Sequence, residues 1–160
     1  MKQPIKKNKN TEDVKKKPQV KKTKTVKKHP QYGTSKLEED FAHNFLDKLG
    51  VKYTYQFEAK DIGRFFDFRI EDGPIIEING SYWHGDPRLY ESENLNRVQK
   101  KNISVDKIKE KWALLHGIPI YYIWEKDIKE DAKKVMNFLK EILYLHNKKK
   151  SINEKKKKRY

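Results

Sequence analysis

The sequence contains no cysteine among its 160 residues, which excludes disulfides and any zinc site built on thiolates. Its apolar runs are also short, and none approaches the roughly 18 residues of a candidate membrane helix. The basic N-terminus is not followed by the apolar stretch of a secretory signal. These absences predict an intracellular protein, in the cytoplasm, nucleus or nucleoid, that is neither secreted nor held in a membrane.

Acidic residues are few relative to basic ones, since 23 Asp and Glu face 38 Lys and Arg, a net charge of +15. Residues 1–33 contain 12 lysines and two acidic residues, and residues 148–160 contain eight basic residues and one acidic residue. Residues 34–147 are therefore close to neutral. This distribution predicts one globular domain over 34–147, between a basic N-terminal arm at 1–33 and a basic C-terminal tail at 148–160.

The two arms offer few large apolar side chains, so we expect them to be disordered when free. Blocks of like charge of this kind are typical of segments that bind nucleic acid. The alternative is that the lysines only keep the protein in solution.

Hydrophobic spacing in the first half of the domain predicts one helix and three strands. The helix spans 35–49, with Ser35 and Glu38 as a capping box. A strand with alternating aromatic residues follows at 53–57. The strands at 65–70 and 74–78 are joined by Asp72 and Gly73, which favour a hairpin turn.

The second half predicts a helix over 94–116, a strand buried on both faces over 118–124 and a last helix over 127–145. A helix that leads into a buried strand is typical of the crossover between parallel strands. The predicted order is helix, three strands, helix, strand, helix. The fold class is therefore α/β, with a mixed β-sheet flanked by helices.

Two acidic residues interrupt apolar strands, Asp67 within 65–68 and Glu77 within 75–78. A buried carboxylate is unfavourable unless it is paired or binds a metal ion. In the predicted hairpin both acids lie near one end of the sheet, where they could bind a hard cation such as Mg²⁺. The alternative is that either acid points outward to solvent.

A loop over 79–87 follows Glu77 and contains two glycines, a proline and the run Tyr82-Trp83-His84. A histidine at the end of a sheet can act as a general acid or base near neutral pH. A lone histidine is more often structural, and the neighbouring acids are what favour a catalytic role for His84. Asp106 on the next helix would, taken alone, belong to an ordinary solvated face.

From Ser35 to Asp127 the chain resembles the very short patch repair endonucleases and the homing endonucleases that share their fold, a branch of the PD-(D/E)XK nucleases. It is most similar to the zinc-free homing type. The matching stretches are Leu37-Glu38, Gly63-Arg64 followed by Asp67, Asn79 to His84, Asn102 with Asp106, and Gly117 to Ile123-Trp124-Glu125.

The resemblance implies a role for each matched residue. Glu38 matches the acid of the N-terminal helix, and Asp67 matches the metal-binding aspartate. The backbone carbonyl of Ile78 would be a further Mg²⁺ ligand. His84 corresponds to the histidine that activates water, and Asp106 corresponds to the acid that supports it.

The implied partner is double-stranded DNA, and no membrane is expected to be involved. Tyr82 and Trp83 lie where the mismatch enzymes insert aromatic rings into the duplex. The residues predicted to contact DNA are Arg64, Asn79, Tyr82, Trp83, Lys100, Lys101 and Lys107.

The chain departs from the family pattern at three positions. It has no cysteines for the structural zinc of the mismatch enzymes, and Ser81 stands at one matching position. Glu77 is an addition that resembles the second acid of ordinary PD-(D/E)XK nucleases. Asn79 stands where those nucleases have a lysine, and we expect His84 to take over that role. The expected cofactor is Mg²⁺ or Mn²⁺, without structural zinc.

The sequence thus predicts a metal-dependent DNA endonuclease, of the homing or selfish-element type. The predicted catalytic residues are Glu38, Asp67, Glu77, His84 and Asp106, and the predicted metal ligands are Asp67, Glu77 and Ile78. Alternatives are a repair enzyme that nicks at mismatches, a catalytically silent DNA-binding protein and a nuclease that processes RNA. The four family residues Glu38, Asp67, His84 and Asp106 argue against a silent protein.

We predict that the N-terminal arm contributes affinity rather than chemistry. Lysines that neutralise phosphates release counterions, which makes binding salt-dependent without reading the bases. Removing residues 1–33 should weaken duplex binding and flatten the dependence of affinity on salt, as measured by fluorescence anisotropy. An unchanged salt slope would show that the arm does not touch DNA.

Overall fold

Four strands form the mixed sheet at the centre of the computed structural model, which describes residues 35–157. The strands are β1 (Tyr53–Ala59), β2 (Arg64–Ile70), β3 (Ile75–Asn79) and β4 (Ile120–Trp124), in the order β1-β2-β3-β4. The pairs β1–β2 and β2–β3 are antiparallel, and β3–β4 is parallel. The predicted α/β class with a mixed sheet is confirmed, whereas the predicted N-terminal arm lies outside the described residues.

The helices are α1 (Lys36–Phe41) with a π-helical continuation (Ala42–Leu46), a 3₁₀ turn (Ser92–Asn94), α2 (Arg97–Leu115), α3 (Glu125–Glu130) and α4 (Ala132–Lys157). The capping box predicted at Ser35 is wrong, because the Ser35 side chain makes no cap hydrogen bond and Glu38 turns toward β1. A capping box is found instead on α2, between Asn96 and Gln99. Within residues 35–157 no helix is long and apolar enough to cross a membrane.

Two apolar clusters cover the two faces of the sheet. One joins Phe41 of α1 and Leu139 of α4 to the sheet, and the other includes Trp112 of α2. In β3 the side chain of Ile76 belongs to the first cluster and that of Ile75 to the second. Since neighbouring residues of a strand point to opposite faces, α1 and α4 cover one face and α2 covers the other.

The strand β4 differs from the prediction. It was expected to be buried on both faces, but it lies at the edge of the sheet, and Ile123 is its one fully buried residue. The strand buried throughout is β3, which lies between β2 and β4. The predicted parallel pairing through a crossover helix is present, between β3 and β4.

The last helix is longer than predicted and enters the expected C-terminal tail. It is divided at Asp131, and α4 then runs to Lys157. Residues 132–157 contain no glycine or proline and are rich in lysine and leucine, which favour helix. Lys150 also donates to the Asp72 carboxylate at 3.0 Å, which ties the helix to the β2–β3 turn.

Candidate active site

The strands β2 and β3 separate where the two acidic residues lie. The last backbone pair between the two strands joins Phe68 to Ile76. Beyond this pair, hydrogen bonds from backbone N–H groups to side chains connect the strands. The Asp67 N–H donates to Glu77 Oε1 at 3.0 Å, and the Ile78 N–H donates to Asp67 Oδ2 at 2.7 Å. The carboxylates thus take the place of backbone carbonyls as acceptors for buried N–H groups. The structure therefore brings Asp67 and Glu77 together.

Glu38 reaches the same place from α1. Its Oε2 accepts a hydrogen bond from the Tyr55 hydroxyl at 2.8 Å and another from Gln56 Nε2 at 3.0 Å. Gln56 has a φ of +53°, which is uncommon for a residue other than glycine, and it lies opposite Asp67 in the β1–β2 register. Such strain persists only where surrounding contacts stabilise it, and Glu38 provides one of them.

The three carboxyl groups resist simultaneous ionisation. Burial, with the charge of Asp67 as a second cause, raises the pKa of Glu38 to about 7 and also raises that of Glu77, where Lys109 opposes the effect. Burial also raises the pKa of Asp67 itself, against the opposing effects of Lys109 and the Ile78 N–H. A cation bound among these groups would favour their ionised forms.

Lys109 of α2 is a residue of this site that the sequence analysis did not identify. It is only 8% exposed, its ammonium group pairs with Glu77 Oε2, and it lies 5.2 Å from the centre of the Phe66 ring. Burial lowers the pKa of Lys109, but the charges of Glu77 and Asp67 outweigh this effect and raise it. Lys109 is therefore a positively charged group held inside the site.

The sequence offered only a weak signal for Lys109. It is one of five lysines in α2, and it lies three residues after Asp106 and three before the buried Trp112. Residues three apart on a helix share a face, so this spacing places all three toward the sheet. Asn79, which ends β3, is only 5% exposed.

Both oxygens of Glu77 are engaged, by the Asp67 N–H and by Lys109. Within residues 35–157 no three acidic or histidine side chains are arranged as a ready metal site. Mg²⁺ commonly binds through one or two carboxylates, with waters and substrate phosphates completing its coordination. Asp67 and Glu38, with the carbonyl of Ile78, fit that type of site better than Glu77 does.

His84 and Asp106 form a hydrogen-bonded pair beside the acids. The distance from His84 Nδ1 to Asp106 Oδ2 is 2.7 Å, and the two side chains are 22% and 15% exposed. A ring that donates through Nδ1 has Nε2 free to accept a proton. His84 lowers and Asp106 raises the pKa of Asp67, so the pair acts on the same site.

Helix α2 also fixes the loop that carries His84. Gln99 is 1% exposed and donates through Nε2 to the Tyr82 carbonyl at 2.8 Å. Asn102 donates through Nδ2 to the Trp83 carbonyl at 2.9 Å. These bonds hold the backbone just before His84.

The other side of the loop is fixed to the start of α3. The Ser81 N–H donates to Glu125 Oε2 at 3.2 Å. Arg88 bridges two acids, Asp86, which is fully buried, and Asp127. The donor–acceptor distances are 2.7 Å to Asp86 and 2.6 Å to Asp127. Sequence analysis did not identify Gln99, Asp86 or Arg88 as loop anchors.

The residues predicted to contact DNA differ in exposure. Tyr82 and Trp83 are 48% and 57% exposed, and their rings meet edge to face at 5.2 Å. Lys100, Lys101 and Lys107 are exposed on α2, and Arg64 is half-buried at the start of β2. The structure thus leaves these side chains open to a ligand, whereas Asn79 is buried.

Comparison with known proteins finds no protein-family model, curated protein or solved structure that matches this chain.

We predict that Gly85 is required to hold the loop. It has a φ of +60°, and an added Cβ would lie 2.6 Å from Leu95 Cδ2. Gly63 has a similar φ of +58° with no atom within 4 Å of an added Cβ, so it serves as a control. Gly63→Ala should cost about 1–2 kcal/mol of unfolding free energy from backbone strain alone. Gly85→Ala should cost up to about 1 kcal/mol more, because its Cβ would clash with the end of the Leu95 side chain, which must move aside, as measured by urea denaturation. Equal losses would show that Leu95 does not constrain the loop.

We also predict that the metal-free protein loses stability as pH rises. The folded-state pKa of Glu38 is about 7, above the ordinary value of 4.5, so the folded protein binds more protons than the unfolded chain between these values. The free energy of unfolding should therefore fall across this range. In Glu38→Gln the fall should be shallower, while Glu39→Gln at an exposed neighbour should behave as wild type. The measurement is urea denaturation with EDTA, and identical slopes in all three proteins would contradict the prediction.

Proposed function

We propose that this protein is a metal-dependent DNA endonuclease that hydrolyses phosphodiester bonds. The observation that carries the proposal is the convergence of acids where β2 and β3 separate, beside the His84–Asp106 pair. Glu38, Asp67 and Glu77 come from different elements, and two of them replace backbone acceptors to reach this place. Carboxylates with raised pKa values cluster at functional sites, so their convergence at one point favours a functional site over a purely structural role.

The cluster favours Mg²⁺ or Mn²⁺ as cofactor, because carboxylate and carbonyl oxygens are the ligands that these hard cations prefer. Asp67 and Glu38, with the carbonyl of Ile78, would hold the ion. When bound, it would stabilise negative charge on the phosphate and on the leaving oxygen.

His84 is the general base of the proposed reaction. Because Nδ1 is engaged by Asp106, Nε2 accepts the proton of the attacking water. Asp106 holds the ring in this orientation and stabilises the imidazolium that forms. Asn79 cannot serve as the base, since an amide does not accept a proton near neutral pH.

Lys109 supplies the positive charge that the lysine of related nucleases would supply from the position of Asn79. Its ammonium group is fixed by Glu77 next to Asp67, so it can stabilise charge that develops on the phosphate without reorganisation. In PD-(D/E)XK nucleases one lysine at the position of Asn79 would fill this role. Here two residues share it, because His84 transfers the proton and Lys109 provides electrostatic stabilisation.

We assign the finer fold to the restriction-endonuclease-like group, on the branch of the very short patch repair and homing enzymes. This assignment is supported by the matched residues Glu38, Asp67, His84 and Asp106, which lie at one site although they belong to four parts of the chain. The absence of cysteine favours the zinc-free homing type over the mismatch repair type.

The direct test is incubation of the purified protein with supercoiled plasmid, with and without Mg²⁺. Open-circular or linear product that forms only with the metal would support the nuclease. Binding without cleavage at any metal concentration would instead favour a catalytically silent DNA-binding protein.

We predict that His84→Ala lowers the cleavage rate by on the order of 10² to 10⁴-fold, as expected for the loss of a general base. Duplex affinity should stay close to wild type, because the ring is not proposed to bind phosphate. His116→Ala, at a histidine stacked on Trp112 away from Asp106, is the matched control and should cut normally. Near-normal cleavage by His84→Ala together with a collapse in Asn79→Ala would reverse the assignment.

A further inference from the structure

We infer that a groove between the start of β2 and helix α2 is a binding site for a phosphate of the DNA backbone. The groove has a volume of about 460 Å³ and opens to solvent. Its basic lining residues are Arg64, Lys101 and Lys109. The inference rests on the proposed function in one respect, namely that DNA is the ligand.

The charges around the groove are unbalanced. None of the residues that line it is acidic. Among residues 35–157, neither Arg64 nor Lys101 forms an ion pair, whereas Lys109 is paired with Glu77 on the side of the acids. Positive groups that converge on a concave surface create a potential that attracts an anion.

Arg64 has a donor that lacks an acceptor. Its Nη1 donates to the Gly63 carbonyl at 3.1 Å, but its Nε is buried and has no hydrogen-bond partner in the described part of the chain. A buried N–H group of this kind is normally satisfied, and a guanidinium fork matches the oxygens of a phosphate. Arg64 lines the groove, so a phosphate seated there would meet its guanidinium group.

The position of the groove relative to the acids indicates what it does. Lys101, Val105 and Lys109 recur every four residues on α2 and form one wall. Lys109 borders both this groove and the acidic cluster. A strand whose phosphate lies in the groove would therefore place a neighbouring phosphate at Asp67. The groove positions the strand for cleavage and does not read its sequence.

The test is duplex binding by the full-length protein in EDTA, where catalysis cannot contribute. The variant Arg64→Gln/Lys101→Gln should lose on the order of tenfold in affinity. Its slope of log affinity against log salt should be shallower by about one, since the loss of one phosphate contact changes the slope by roughly 0.9. The control Lys133→Gln/Lys140→Gln removes the same charge from exposed positions on α4, which covers the opposite face of the sheet, and should change both quantities less.

Equal losses in the two double variants would overturn the groove site, because affinity would then follow net charge alone. In that case normal cleavage by the wild-type protein would leave the proposed nuclease intact, whereas a wild-type protein that binds no duplex would overturn both proposals. Lys101→Gln alone changes an exposed side chain and provides a second reading if the double variant is unstable. Affinity and slope unchanged in this single variant would also contradict the site.

Discussion

The structure depends on two hydrogen bonds between β2 and β3, in which the Glu77 carboxylate accepts the Asp67 N–H and the Asp67 carboxylate accepts the Ile78 N–H. Each residue replaces a backbone acceptor at the point where β2 and β3 diverge, so the acids are fixed by the sheet itself. Glu77 is 2% exposed and needs a compensating charge, which Lys109 provides. Removing one partner of such a buried pair typically costs about 3–5 kcal/mol, because an uncompensated charge is left inside. The pair therefore couples the position of α2 to the position of the acids.

Helix α2 then orders the rest of the site along one face. Asn102 holds the loop backbone at Trp83, Asp106 orients His84, and Lys109 pairs with Glu77. These residues are three or four positions apart, which is the spacing at which helix side chains share a face. A shift of the helix along the sheet would therefore disturb His84, the Lys109 ammonium group and the exposed pair of Tyr82 and Trp83 together. This explains how a site can be assembled from elements distant in sequence.

Local patterns in the sequence predicted that Asp67 and Glu77 lie together. The turn residues Asp72 and Gly73 predicted the hairpin, and each acid is recognisable because it interrupts an apolar strand. Local patterns could not place Glu38 beside these acids, which only the family resemblance implied, because the capping pattern at Ser35 is equally good and the contact with Tyr55 is made only in the folded protein. The sequence did not distinguish Lys109 from the other lysines of α2. The edge position of β4 was also inaccessible, because strand order is set by tertiary packing and not by the hydrophobicity of the strand.

The site contains more acidic groups than basic ones, whereas the charged residues that line the groove are all basic. In the site, Glu77 is paired with Lys109 and Asp106 with His84, and Glu38 and Asp67 form no ion pair among the described residues. In the groove, Arg64 and Lys101 have no acid among the described residues, and Arg64 Nε has no acceptor. A cation would compensate the charge of the acidic site, and an anion would compensate the charge of the basic groove. The proposed ligand, a phosphodiester strand with its metal ion, would satisfy both, since it would carry a phosphate for the groove and bring a second phosphate and a cation to the acids.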